Sequence, residues 1–181
     1  MLIRSGDVRL HSFEPALADA VHDVRNHPTV RHHMRDASPI SRESHYRWVQ
    51  ENLIESRRVH LFIVFSGEEP VGIALLRNFR DKAAEVGVMI VEAESRPLVC
   101  YVAAHLIGYY GFEVLDLDKL FSCVPRHNEH ALAFNRRCGF EPSGADSDVH
   151  AELVLTQSQS RSHPTHKRFR EKHGIEVIER A

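Results

Sequence analysis

The spacing of apolar positions changes several times along the chain, and each change marks an element. Val8 to His11 alternates and predicts a short strand. From Glu14 to Asn26 the apolar residues fall at 17, 20, 21 and 24, the spacing of an amphipathic helix, with Pro15 in its first turn and Pro28 ending it. The polar stretch 25–41 is broken by Pro28 and Pro39 and predicts a loop or short irregular helix. Ser41 then caps a helix over 42–55 that has Trp48, Val49 and Leu53 on its inner side. Val59–Phe65 is a dense β-branched and aromatic run, a buried strand. Ser66–Pro70 turns, Val71–Leu76 returns, Asn78–Lys82 turns again, and 84–92 completes an antiparallel meander.

The segment 97–112 is apolar on nearly every face, with His105 the main exception, so this helix is buried on more than one side. The strand 119–124 behind it must run parallel to 84–92, because a helical crossover joins them. A short helix over 128–138 follows, with Gly139 suited to the position after its last turn. Val149–Thr156 is a last strand. Gln157–Ser162 reads as a linker, and 163–181 as a polar, net-positive tail, a terminal helix or partly disordered.

Composition narrows the function classes. A chain of 181 residues with 43% hydrophobic residues holds one domain with a sizeable core. Its formal net charge of −2 argues against a dedicated nucleic-acid binder, although 161–172 is locally basic. No apolar run approaches the roughly 18 residues of a membrane span. No signal segment precedes the first strand, so the expected location is cytoplasmic. The cysteines at 100, 123 and 138 read as reduced thiols, and Cys123 and Cys138 as buried structural ones. The 14 histidines lack metal-ligand spacing; His32 and His33 are adjacent, and His163 and His166 lie in the tail, so no metal is expected.

Residues 84–140 carry a more specific signal. The order strand, apolar helix, strand, short helix, together with Asn128-Glu-His-Ala131-Leu-Ala-Phe134-Asn-Arg-Arg-Cys-Gly139-Phe140, resembles the acetyl-CoA-binding region of the GNAT superfamily of N-acetyltransferases. The resemblance implies an α+β (α/β/α) GNAT fold over 1–156, a mixed, mostly antiparallel sheet of about six to seven strands flanked by helices, with 157–181 as a tail. It implies acetyl-CoA as acyl donor and a small-molecule amine as acceptor, and is compatible with a homodimer. Val86, Val88, Met89 and Ile90 would receive the pantetheine arm; Arg96, Leu98 and Val99 the pyrophosphate; Asn128 and Phe134 complete the donor site. Glu85 matches a glutamate that often deprotonates the amine through water.

Two positions depart from that pattern. The loop Glu94–Tyr101 contains neither of the family's glycines, and Asn135 stands where many members have a tyrosine that protonates the leaving thiolate. A different acyl thioester, such as one on acyl carrier protein, and a non-catalytic binding role therefore stand beside the main reading. In the N-terminal half, Arg25-Asn26, Val30-Arg31, Met34 and Ile40-Ser-Arg-Glu-Ser-His45 resemble nucleotide-sugar amine N-acetyltransferases of the pseudaminic acid type. That resemblance places Arg25, Arg31, Met34 and His45 around the acceptor.

Overall fold

The computed structural model describes residues 1–34, 36–145 and 147–178. A single nine-stranded sheet forms the centre, in the order β7-β8-β6-β5-β4-β3-β2-β1-β9. Its strands are β1 (Leu2–Ser5), β2 (Val8–Ser12), β3 (His60–Ser66), β4 (Glu69–Arg80), β5 (Ala83–Ile90), β6 (Lys119–Pro125), β7 (Glu141–Pro142), β8 (His150–Thr156) and β9 (Glu176–Ile178). The strand count exceeds the expected six to seven because the short β1, β7 and β9 join the sheet. Neighbours are antiparallel except β5 and β6, the pair joined through the helix α4 (Pro97–Tyr109), as the crossover argument requires.

Alternation along the strands builds two cores. Phe62, Val64, Ala74 and Leu76 face one side and pack under α4. Leu61, Ile63, Ile73 and Leu75 face the other, against Val21 and Val24 of α1 (Ala18–Asn26) and Val30 of α2 (Pro28–Arg31). Helix α3 (Arg42–Val49) covers the same side with Trp48, and Ser41 Oγ accepts from Ser44 N at 3.2 Å to cap it. Beyond Val49 the chain continues as a π-helical turn to Glu55. Helix α5 (Glu129–Arg137) is capped by Asn128, whose Oδ1 accepts from Ala131 N at 3.0 Å.

The C-terminal segment corrects the linker reading. Residues 157–162 form helix α6 (Gln157–Ser162), because Thr156 and Gln159 make a reciprocal capping box. Helix α7 (Pro164–Lys172) follows and lays Phe169, 1% exposed, into the core beneath α4. β9 then pairs with β1 at the sheet edge. Residues 179–181 of the expected tail lie outside the described residues. Among the described residues no helix is long and apolar enough to cross a membrane.

Candidate active site

The parallel pair β5–β6 stays in register only from Ala83 to Glu85, opposite Lys119 to Phe121. Past Glu85 the strands separate, while β5 remains paired to β4 and β6 to β8. Val91 N bonds Val71 O at 2.8 Å, so the alternation of the antiparallel ladder sends the N–H and C=O of Glu85, Gly87 and Met89 to β4. Val86 N–H still closes the parallel ladder on Phe121, as the Glu85–Phe121 pairing requires, while the C=O of Val86 and both main-chain groups of Val88 and Ile90 turn into the gap that β6 has left. A wedge with unpaired main-chain donors and acceptors is a slot for an extended, amide-bearing chain.

The gap leads to the N-terminus of α4. Pro97 occupies the first turn and Cys100 N already bonds Arg96 O at 3.1 Å, which leaves the N–H groups of Leu98 and Val99 as the open donors of the helix end. Leu98 is 61% exposed and points its side chain outward, while Val99 is buried. Arg96 stands beside them in a bidentate ion pair with Glu69, at 3.1 and 3.2 Å. These donors fit an anionic phosphate, although the backbone lacks the close approach that glycine gives.

At the point where the strands part, Glu85 is only 8% exposed. Its Oε1 accepts from Arg77 Nη2 at 2.6 Å and its Oε2 from Asn78 Nδ2 at 2.6 Å. Arg77 is the cross-strand partner of Glu85, and Asn78 reaches it from a bulge: Asn78 and Phe79 oppose Ala84 alone, and Asn78 sits at φ 51°. The expected strand 71–76 with a turn at 78–82 is thus one longer strand, β4, kinked at this bulge. Each carboxylate oxygen keeps a lone pair beyond these charge-assisted bonds. Arg77 and Asn78 went unnoticed in the sequence, where they looked like a strand end and a turn.

Glu85, Gly87 and Met89 share the face of the sheet covered by α1, α2 and α3. Met34 and Met89 both pack against the buried cluster on that side. Arg25 and Arg31 project from α1 and the end of α2 with their Nε atoms buried and without a hydrogen-bond partner among the described residues. Burial pulls the Arg25 guanidinium below its ordinary value, and the positive charge of Arg77 adds to the effect. Both Nε donors are buried, and Arg25 lies near enough to Arg77 for the two positive charges to repel. His45 sits differently from the expectation of a residue lining the acceptor. It is 3% exposed and bonds Ala18 O through Nε2 at 2.9 Å, which ties α3 to α1 beneath Arg25. Burial lowers its basicity, partly offset by that bond.

On the opposite wall, Phe134 packs partly buried against the core under α4. Asn135 Nδ2 bonds Ala131 O at 2.9 Å, one turn back on its own helix, which leaves its second N–H and its amide oxygen. Asn128 uses its oxygen as a cap and keeps its amide N–H₂. The cysteines divide: Cys138 is buried, and desolvation pushes its thiol up to about 12, whereas Cys123 is exposed, contrary to the expectation of a buried residue. Cys123 lies on β6 beyond its last contact with β5, where that strand has lost one neighbour. Among the described residues no three metal-ligating side chains come together.

Comparison with known proteins gives consistent results. The family model described as an acetyltransferase (GNAT) domain matches residues 7–141. Acetyltransferase PseH of Campylobacter jejuni is 28% identical over 141 residues, 78% of this chain and 87% of that one. Among solved structures, apo FdhC, a nucleotide-linked sugar GNAT, superposes with a TM-score of 0.76 at 16% identity, covering 95% of this chain and 96% of that one. RimL, the ribosomal L7/L12 α-N-protein acetyltransferase in complex with coenzyme A, superposes with a TM-score of 0.74 at 17% identity, covering 86% and 98%.

Proposed function

The chain belongs to the acetyltransferase (GNAT) family, and we propose that it transfers an acetyl group from acetyl-CoA to the primary amine of a nucleotide-linked amino sugar. The observation that carries the acceptor is the positive charge of Arg25 and Arg77 beside the Glu85 carboxylate, on the side of the sheet where Met34 and Met89 also pack. A nucleotide diphosphate would answer the positive charge on this side of the sheet, and Met34 and Met89 would offer a soft apolar wall to a deoxy-sugar. The similarity to PseH and the overall likeness to FdhC support the same class.

Acetyl-CoA would supply an activated thioester. Val86, Val88 and Ile90 would hold its amide-bearing arm through main-chain bonds, and Leu98 N–H, Val99 N–H and Arg96 its phosphates. An alkylammonium must lose a proton before it attacks, and Glu85, held between Arg77 and Asn78, can draw that proton through a water. Asn135 can give one N–H to a carbonyl or sulfur but cannot act as an acid, so the leaving thiolate takes its proton from solvent.

One observation favours a second reading, a donor without a nucleotide such as an acyl carrier protein thioester: Arg96 already carries the Glu69 carboxylate, and the loop beside it has no glycine. Isothermal titration separates the two. Saturable micromolar binding of acetyl-CoA, followed by acetylation of a UDP-linked amino sugar and not of the free sugar, is the expected outcome. No binding of acetyl-CoA together with turnover from acetyl-acyl carrier protein would transfer the assignment to the second donor.

A further inference from the structure

A half-open groove of about 360 Å³ runs between α4 and α7, lined by Tyr101, Pro164, Thr165, Arg168, Lys172 and His173. Helix α7 lies beyond residue 141, where the match to the family model ends. Two contacts seat it. Tyr101 Oη donates to Thr165 O at 3.0 Å, and Thr165 Oγ1 donates to Arg137 O at 3.1 Å. The start of α7 is thereby held between α4 and the last turn of α5, the two helices that flank the donor slot.

The groove begins close to the end of α4 that offers its N–H groups. Tyr101 follows Leu98 by three residues, so the two share a face and lie about 5 Å apart along the helix axis. Leu98 is exposed on that face. Opposite Tyr101, Thr165, Arg168 and Lys172 form one stripe of α7, again at helical spacing. Arg168 and Lys172 are exposed, and neither has a hydrogen bond or an ion pair among the described residues. Among those residues the lining holds these two cations and no carboxylate. Burial raises the Tyr101 phenol above its ordinary value, and the charge of Arg168 works against it. Other cations near α4 and α7 are committed: Arg96 pairs with Glu69, Arg161 with Glu113, and Arg170 donates to the carbonyls of Ser160 and Arg161.

Coenzyme A carries an anion besides its pyrophosphate, a 3′-phosphate on the same ribose. One sugar separates the two groups. When the pyrophosphate rests on Leu98 N–H and Val99 N–H, the 3′-phosphate therefore lands about one helical turn away. We infer, on the acetyl-CoA reading of the donor, that Arg168 and Lys172 bind this 3′-phosphate, with the adenosine laid over Leu98 and Tyr101. A dianion bridging two free cations offsets the grip lost where the loop has no glycine and Arg96 already holds a carboxylate. The appended helix would thus complete the donor site.

The test titrates the full chain calorimetrically with coenzyme A and with 3′-dephospho-coenzyme A, which differ only in the group concerned. Coenzyme A is expected to bind at least about tenfold tighter, and the margin should shrink in about 0.5 M salt. Arg168→Gln combined with Lys172→Gln should remove that margin. The variant should bind coenzyme A as weakly as the parent binds the dephospho form, and the dephospho form no more weakly than the parent does. Its melting temperature should not change, because neither side chain has a partner to lose. Equal binding of the two ligands by the unsubstituted chain would overturn the inference and leave acetyl-CoA as the donor. Binding of neither would overturn both. Normal coenzyme A binding by the variant, with turnover from acetyl-acyl carrier protein lost, would also overturn it and give the two cations to a protein donor.

Discussion

At Glu85 a buried carboxylate is held from two sides, and the question is whether it moves protons or only anchors Arg77. Glu85→Gln preserves the shape and the bond to Asn78. As the base it should lower kcat by about 100-fold with an unchanged circular dichroism spectrum; undiminished kcat would leave Glu85 as an anchor alone. Arg25 allows a sharper division between stability and binding. Arg25→Met keeps the aliphatic volume and removes a guanidinium whose buried Nε has no partner among the described residues. Without ligand the variant should melt no lower than the parent, because a desolvated charge is gone. Its KM for the nucleotide-linked amine should rise by about tenfold to 100-fold with kcat little changed. Lower stability with an unaltered KM would make Arg25 a structural residue.

The residues at this site were unequally legible in the sequence. Glu85, Asn135 and the Asn128–Phe140 motif occupy fixed offsets from strand and helix ends, so a pattern can point to them as candidates. Arg77 and Asn78 depend on a two-for-one bulge, which nothing in local composition distinguishes from a turn. His45 looked like a surface helix residue or an acceptor ligand; its burial follows from the packing of α3 on α1, a tertiary fact.

Among the elements, α4 was the easiest to read, since a helix apolar on all sides has only one place to go. The C-terminal helices were the hardest. Gln157–Ser162 contains no large apolar residue, and its helicity rests on the Thr156–Gln159 box, a signal present in the sequence but overridden by its polar composition. α7 has one deeply buried anchor, Phe169, among charged neighbours. Phe169→Ala should therefore destabilise the whole protein by about 3–5 kcal/mol, measured as a shift in the urea midpoint. A loss below about 1 kcal/mol would mean that α7 packs only loosely on the core. β1 was missed for a different reason: the Gly6-Asp7 pair that turns it onto β2, with Gly6 at φ 57°, is a recognisable hairpin signal, but the strand before it is only four residues long.

For the molecule as a whole, folding has placed several histidines where they resist protonation. Burial holds His105 down at about 4 and lowers His60, His45 and His166 as well. A base depressed on folding binds fewer protons in the native state than in the unfolded chain, where its value is near 6.5. Its contribution is therefore complete above that value and declines as pH falls from about 6.5 towards 4, by about 3 kcal/mol for His105 alone. Urea midpoints at pH 7.5 and pH 4.5 should show this loss, and His105→Gln should shrink it. A variant with the same acid loss as the parent would show that His105 does not carry it.

The bond from His166 to the Cys138 carbonyl joins α7 to the last turn of α5, and Gly139 extends the join, since a Cβ there would lie 3.1 Å from the His163 ring. Asn128, Phe134 and Asn135 ride on that same short helix and its cap. Any change that displaces α7 would therefore be felt in the pose of α5, and a donor that fixes α5 would steady α7 in return. The C-terminal helices would thus act as a tuning element for the front cleft, adjustable without touching a residue inside it.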